Sequence, residues 1–150
     1  MLRRGLLAVA VFIATLNYCN AQSVAYYPIS SIVSISTNPV KPIWLDLRFQ
    51  TNSFFSSLST EIAPAVNLNK NPKGQYYIGG GLRLNYLEAF RENGAILEGY
   101  MLNIGIRSAP FDKYPQVQIA FELSPYVASN FETGLFRSRL GIAYNFSKKK

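Results

Sequence analysis

The sequence predicts an all-β protein: an antiparallel up-and-down meander closing into a small barrel, with six clear strands and six to eight possible. Three observations predict it. Between residues 43 and 146, six stretches alternate apolar residues with polar or small ones at period 2. Turn residues separate them at 50–53, 69–74, 91–94, 110–115 and 129–134, and the third of these contains Asn93-Gly94, the strongest short hairpin signal. The apolar faces end in aromatics, while the opposite faces gather glycine, alanine, serine and charge. That division suits strands with hydrocarbon on one side and a confined polar interior on the other.

Residues 1–21 read as a signal peptide. Arg3 and Arg4 supply the positive region, and 6–16 is an apolar run too short to span a bilayer as a helix. Cys19 and Ala21 are the small residues before a cut at Gln22. A retained anchor and lipoprotein cleavage at Cys19 are the alternatives, although Tyr18 stands where lipoprotein signals want a small residue. Residues 22–42 form a lead-in or one extra strand. There, 29–37 alternates weakly between Pro28 and the pair Pro39 and Pro42.

The first clear strand, 43–51, points Ile43, Leu45, Leu47 and Phe49 outward and Trp44, Asp46, Arg48 and Gln50 inward. The second, 54–68, places Ser57, Ser59, Glu61, Ala63, Ala65 and Asn67 inside. Its Pro64 lacks a ladder donor and predicts a bulge or gap in pairing. The third, 75–88, is the cleanest, with an outer face running from Tyr76 to Tyr86. Ten steps of about 3.3 Å, tilted by about 45°, cover about 23 Å, close to the apolar band of a membrane barrel. The fourth, 96–108, presents Tyr100 outward, and the fifth, 116–128, turns Gln118, Ala120, Glu122, Ser124 and Tyr126 inward. The sixth closes at Phe146 and is followed by a basic tail, 147–150. The segments around Glu61 and Glu122, and around Gly81 and Gly141, echo each other about 60 residues apart. A repeat of three strands would be inverted by a simple meander.

Composition narrows the function. The chain has no histidine, the commonest general base and metal ligand, and after a cut at Gln22 it has no cysteine. No catalytic, cofactor or metal site is expected. Removing Arg3 and Arg4 from 15 basic and 8 acidic side chains leaves a net charge of +5, of which Lys148, Lys149 and Lys150 carry three. A basic tail is not the basic face that nucleic acid requires, so no nucleic-acid partner is expected. The inward faces collect a lumen charge network of Asp46, Arg48, Glu61, Arg83, Arg107, Glu122, Arg137 and Arg139. Buried charge needs partners, so a plug of Arg–carboxylate forks is expected; a narrow anion-favouring passage or cup is the alternative.

The closing stretch resembles the C-terminal signal of Gram-negative outer-membrane barrels, with Arg139, Gly141, Tyr144 and Phe146 in its slots. Residues 43–146 as a whole resemble the small closed barrels of the OmpA/OmpX/OmpW kind. The resemblance implies an outer-membrane location, lipid and the barrel-assembly machinery as partners, and a periplasmic lead-in and tail. It also implies that the turns near Asn52, Asn93-Gly94 and 130–134 face outside. Tyr76, Tyr86, Tyr100 and Phe136 are the expected interface aromatics. Six strands rather than eight, and a chain continuing beyond Phe146, depart from the pattern. The expected role is a non-enzymatic structural or interaction protein whose protein partner is unknown. Two alternatives remain: a soluble exported barrel holding an apolar ligand, and a lipid-modifying enzyme, although enzymes of that kind rely on histidine.

Overall fold

The computed structural model describes residues 23–51, 59–69, 71, 73–86 and 95–146. The signal peptide, the 91–94 turn, half of the 50–53 turn, the opening of the second strand at 54–58 and the basic tail lie outside the described residues. One antiparallel sheet contains β1 (Ser23–Tyr27), β2 (Ile32–Ser36), β3 (Ile43–Gln50), β4 (Ser59–Asn67), β5 (Gly74–Asn85), β6 (Leu97–Ser108), β7 (Val117–Leu123), β8 (Tyr126–Ala128), β9 (Gly134–Leu135) and β10 (Ser138–Asn145). Neighbours pair in sequence order from β1 to β7, β7 pairs β10, and β10 returns to β1. This is a closed ring of eight strands, so it has no edge to protect.

The short strands β8 and β9 stand outside that ring. β8 pairs residues 99–101 of β6, and β9 pairs β8. The sequence reading runs one strand through 116–128, whereas the structure breaks it at Ser124-Pro125, because proline has no N–H to donate. Leu102 N–H donates to the Pro125 carbonyl at 3.0 Å and Ser124 N–H to the Arg137 carbonyl at 2.7 Å, so neighbouring strands bridge the break. Pro64 behaves as expected. The β4–β5 register passes from Ile62–Leu82 to Ala65–Gly79, skipping Ala63 and Pro64, while Pro64 stays opposite Leu45 of β3.

The two strands beyond the expected six both come from 22–42, which the sequence reading takes as a lead-in or a single strand. β2 is the weakly alternating segment. β1, five residues ending in two tyrosines and cut off by Pro28, carries Ala25 and Tyr27 on its inward face and so shows little apolar–polar contrast in the sequence, yet its burial alternates fully. Ser23, Ala25 and Tyr27 are buried, while Val24 and Tyr26 are exposed.

Every strand of the ring keeps one facing. Outside stand Ile35, Phe49, Val66, Ile78, Leu82, Leu102, Ile104, Phe121 and Ile142, all exposed. Inside stand serine, glutamine, asparagine, acids and arginine, nearly all buried. Ordinary soluble barrels have the reverse. Two glycines show why small residues belong inside. A Cβ on Gly105 would lie 2.3 Å from the Tyr77 ring, and one on Gly141 would lie 2.6 Å from the Tyr27 ring. Each tyrosine lies over the glycine opposite it on the neighbouring strand, where there is no side chain in the way.

The links at 37–42 and 109–116, with Leu68, Asn69 and Lys73 between β4 and β5, lie at the end where β1 begins and β10 finishes. The links at 28–31 and 129–133, with the last residues of β3 and β5 and the first of β4 and β6, lie at the other end. Tyr76 and Tyr144 stand toward the first end; Tyr86, Tyr100 and Phe136 stand toward the second, and all five are exposed.

Candidate functional site: the charged lumen and its cup

The eight residues expected in the lumen all point inward, and seven of them join one connected set of ion pairs. Its centre is Arg48. The Arg48 guanidinium donates Nη1 and Nη2 to the two Glu122 carboxylate oxygens at 2.8 and 2.6 Å, the parallel fork that planar guanidinium makes best. Arg48 Nε donates to Asp46 at 2.7 Å. Glu122 also accepts from Tyr77 Oη at 2.8 Å and from Arg139 Nη1 at 3.4 Å. Asp46 accepts from the hydroxyls of Ser34 and Ser36.

Glu61 gathers the other guanidiniums. Arg139 Nη2 donates to its carboxylate at 2.9 Å and Arg137 Nη1 at 3.2 Å, while Arg48 and Arg83 stand at 3.8 and 3.9 Å. Glu61 and Glu122 therefore share Arg48 and Arg139. Facing carboxylates would repel one another, and here two guanidiniums stand between them. Arg83 turns mainly to Glu98, at 3.0 Å from its Nε. Its Nη2 also donates to Ser59 at 3.3 Å and Gln50 at 3.4 Å.

Arg107 is the exception. Among the described residues it meets no carboxylate within ion-pair distance and reaches Asp46 only through the Ser36 hydroxyl. Its Nη1 and Nη2 donate to Ser23 and Ser36 at 3.3 and 3.2 Å, and its guanidinium lies 4.6 Å over the Trp44 ring. Trp44 in turn packs edge-on against Tyr77, with centroids 5.2 Å apart.

The sequence reading misses Glu98, because strict alternation from the inward Gly99 sends it outside. The register of β5 on β6 shifts between Arg83 and Leu84, so that Arg83 pairs Gly99 and Leu84 pairs Leu97. Glu98 is the extra residue of that bulge, and the bulge brings it to Arg83. An isolated acid beside a glycine was the one available signal.

Together the side chains divide the lumen. Arg48, Arg107, Arg139, Tyr27, Tyr77 and Glu122 are fully buried and occupy its middle and the half nearer the chain termini. The opposite half is a cup of about 280 Å³ lined by Ile32, Phe49, Gln50, Ser59, Glu61, Arg83, Leu135 and Arg137, with Arg48 and Arg139 below. Arg137 lies 4.6 Å from the Tyr126 ring and covers one side of the cup.

The residues of the expected assembly signal separate by facing. Arg139 is buried in the network and Gly141 backs onto Tyr27, whereas Tyr144 and Phe146 stand outside, edge to face at 4.9 Å. The described serines in the lumen are engaged: Ser34 and Ser36 with Asp46, Ser59 with Gln50, and Ser124 with Asn103. Among the described residues, no group of three or more Cys, Asp or Glu is placed to hold a metal ion. No family model, curated protein or solved structure matches the chain.

Proposed function

We propose that this protein is an integral outer-membrane β-barrel, non-enzymatic, with a structural or interaction role and a lumen plugged by its own ion pairs. The observation that carries the reading is the inversion of its faces. Arg48, Asp46, Glu122 and Arg139 are each 2% exposed or less, while Ile78, Leu82, Leu102, Ile104, Phe121 and Ile142 are each 38–64% exposed. A ring of apolar residues around a charged core is unstable toward water, because the apolar effect disfavours about 25 cal/mol for every Å² left wet. Hydrocarbon removes that cost, and the closed ring satisfies backbone polar groups without an edge. The same lumen speaks against an apolar ligand, since charge lines the space such a ligand would fill.

Two measurements test it. The protein fractionates with membranes after carbonate extraction, and detergent-solubilised folded protein migrates faster on a gel before boiling than after. Release by carbonate without detergent overturns the membrane reading. In planar bilayers the purified barrel gives no steady conductance; a reproducible open channel overturns the plug.

A further inference from the structure

The arginines and lysines of this chain are sorted by place. Arg48, Arg83, Arg107, Arg137 and Arg139 all lie in the lumen. No described lysine does. All seven lysines of the chain fall in the links at 37–42, 68–73 and 109–116 or after Phe146. The described positions among these stand at the end of the barrel where β1 begins and β10 finishes. Three of them are among the described residues, Lys41, Lys73 and Lys113, and all three are exposed. The links at that end contain one acid, Asp112, which accepts from Lys73 at 2.6 Å. In the sequence, the stretches between β5 and β6 and between β8 and β9 carry the reverse balance, with Glu88, Glu92 and Glu132 against Arg91.

The lysine end also carries apolar residues. Val40, Ile43, Leu68, Phe111 and Tyr114 are 47–70% exposed around it, and Lys113 lies 5.8 Å over the Tyr114 ring. Lysine stems that flank apolar and aromatic tips suit a boundary between hydrocarbon and headgroups, where the ammonium reaches phosphate while the stem stays in apolar surroundings.

We propose that this rim is a binding surface for the phosphates of anionic phospholipid headgroups in the leaflet on the side of the chain termini. The inference rests on the membrane reading above and adds a lipid preference and a direction. Compact ammonium groups on three separate links act as point charges, of which Lys73 exchanges Asp112 for a headgroup phosphate, and this matches a fluid array of headgroups better than one rigid ligand. Each lysine near an anionic surface contributes roughly a fivefold gain in association at low salt, and the gain falls within a Debye length.

The test uses the full chain without its first 21 residues, refolded into phosphatidylcholine vesicles and into phosphatidylcholine vesicles containing phosphatidylglycerol. Insertion is scored by heat-modifiable mobility. The expected result is insertion into both, at least about tenfold faster or tighter with phosphatidylglycerol. The preference shrinks as salt rises. The triple variant K41Q/K73Q/K113Q loses most of it, and K41R/K73R/K113R keeps it. The arginine variant guards against a folding defect, since it alters the same three positions. Equal insertion into both vesicles, or a preference that survives the glutamine variant, overturns the inference alone. Capture by isolated peptidoglycan with no vesicle preference assigns the rim to the cell wall and overturns it too. Insertion into neither vesicle overturns the membrane reading and this inference with it.

Discussion

The two halves of the lumen neutralise charge in different ways. Near the chain termini, Arg107 has no bonded carboxylate and rests on two serine hydroxyls and the Trp44 face. In the middle and toward the cup, the guanidiniums meet carboxylates directly, with the Arg48–Glu122 fork fully buried and Glu61 shared among several arginines. The difference lies in what each half loses when one partner goes. Where charges are mutually bonded and dry, removing one strands the rest. Where a charge is held by hydroxyls and an aromatic face, removing it strands nothing ionised at hydrogen-bond distance. The cup lies between these limits, because it is polar and open to water at its mouth.

The largest effect falls on the dry centre. Glu122→Gln keeps the volume and removes the anion that holds Arg48, Arg139 and Tyr77. It is expected to cost about 3–5 kcal/mol, the usual cost of orphaning a buried charge. The midpoint of urea unfolding of the refolded barrel, followed by heat-modifiable mobility, measures it. A loss under about 1 kcal/mol would mean that the middle is as tolerant as the half nearer the termini, and the contrast would collapse.

Glu61→Gln sharpens the contrast from the other side. Glu61 faces more guanidiniums than Glu122 does, so counting partners ranks it first. Water at the cup ranks it second, since solvent can take over Arg83 and Arg137, whose side chains are 18% and 20% exposed. The expected cost is about 1–2 kcal/mol, with recovery at high salt. A cost equal to that of Glu122→Gln would show that the cup is as dry as the centre.

These effects trace back to what a single sequence exposes. Period 2 gave the inward facing of all eight expected lumen residues, because in a strand the facing of one residue sets its neighbours. It placed Tyr77 and Trp44 inside as well. It did not reveal that Tyr77 reaches Glu122 over Gly105, since β5 and β7 meet only through β6 and the contact depends on the register of both pairings. Glu98 was lost to a bulge, and the continuity of β7 to a proline whose missing donor was weighed at Pro64 but not at Pro125. The strand count fell short because the inward face of β1 is Ser23, Ala25 and Tyr27, which gives little apolar–polar contrast, and because β2 is fenced by Pro28 and Pro39. Facing is a local property and was legible. Closure, bulges and pairing across the lumen are not local.

Arg107→Met tests the quiet half directly. Methionine fills much of the same space beside Trp44 and leaves no carboxylate without a bonded partner, since Asp46 retains Arg48, Ser34 and Ser36. Replacement of a buried charge by an apolar side chain of similar volume is often neutral. The unfolding midpoint is expected to move by less than about 1 kcal/mol in either direction. A loss as large as that from Glu122→Gln would place Arg107 inside the bonded network, through Asp46, and erase the distinction between the halves.

The smallest effect comes from the Lys73–Asp112 pair, which has the same chemistry in open water. Its side chains are 72% and 83% exposed, and the ammonium stands 2.6 Å from the carboxylate. The hydrogen bond from Lys73, then its charge, holds the Asp112 carboxyl below its usual range. The same two causes raise Lys73. The signs follow from linkage. Asp112 contributes stability above the ordinary aspartate pKa of about 4, and loses it as pH falls through its depressed value. Lys73 contributes below the ordinary lysine pKa of about 10.4, and loses it as pH rises through its raised value. Subtracting the D112N profile from the wild type therefore leaves a low plateau between those limits, and salt flattens it because both groups are solvated. Unfolding midpoints of the two proteins across that range measure it. A salt-resistant difference would mean that the rim shields its charges from water, and a shielded rim could not offer its lysines to a headgroup layer.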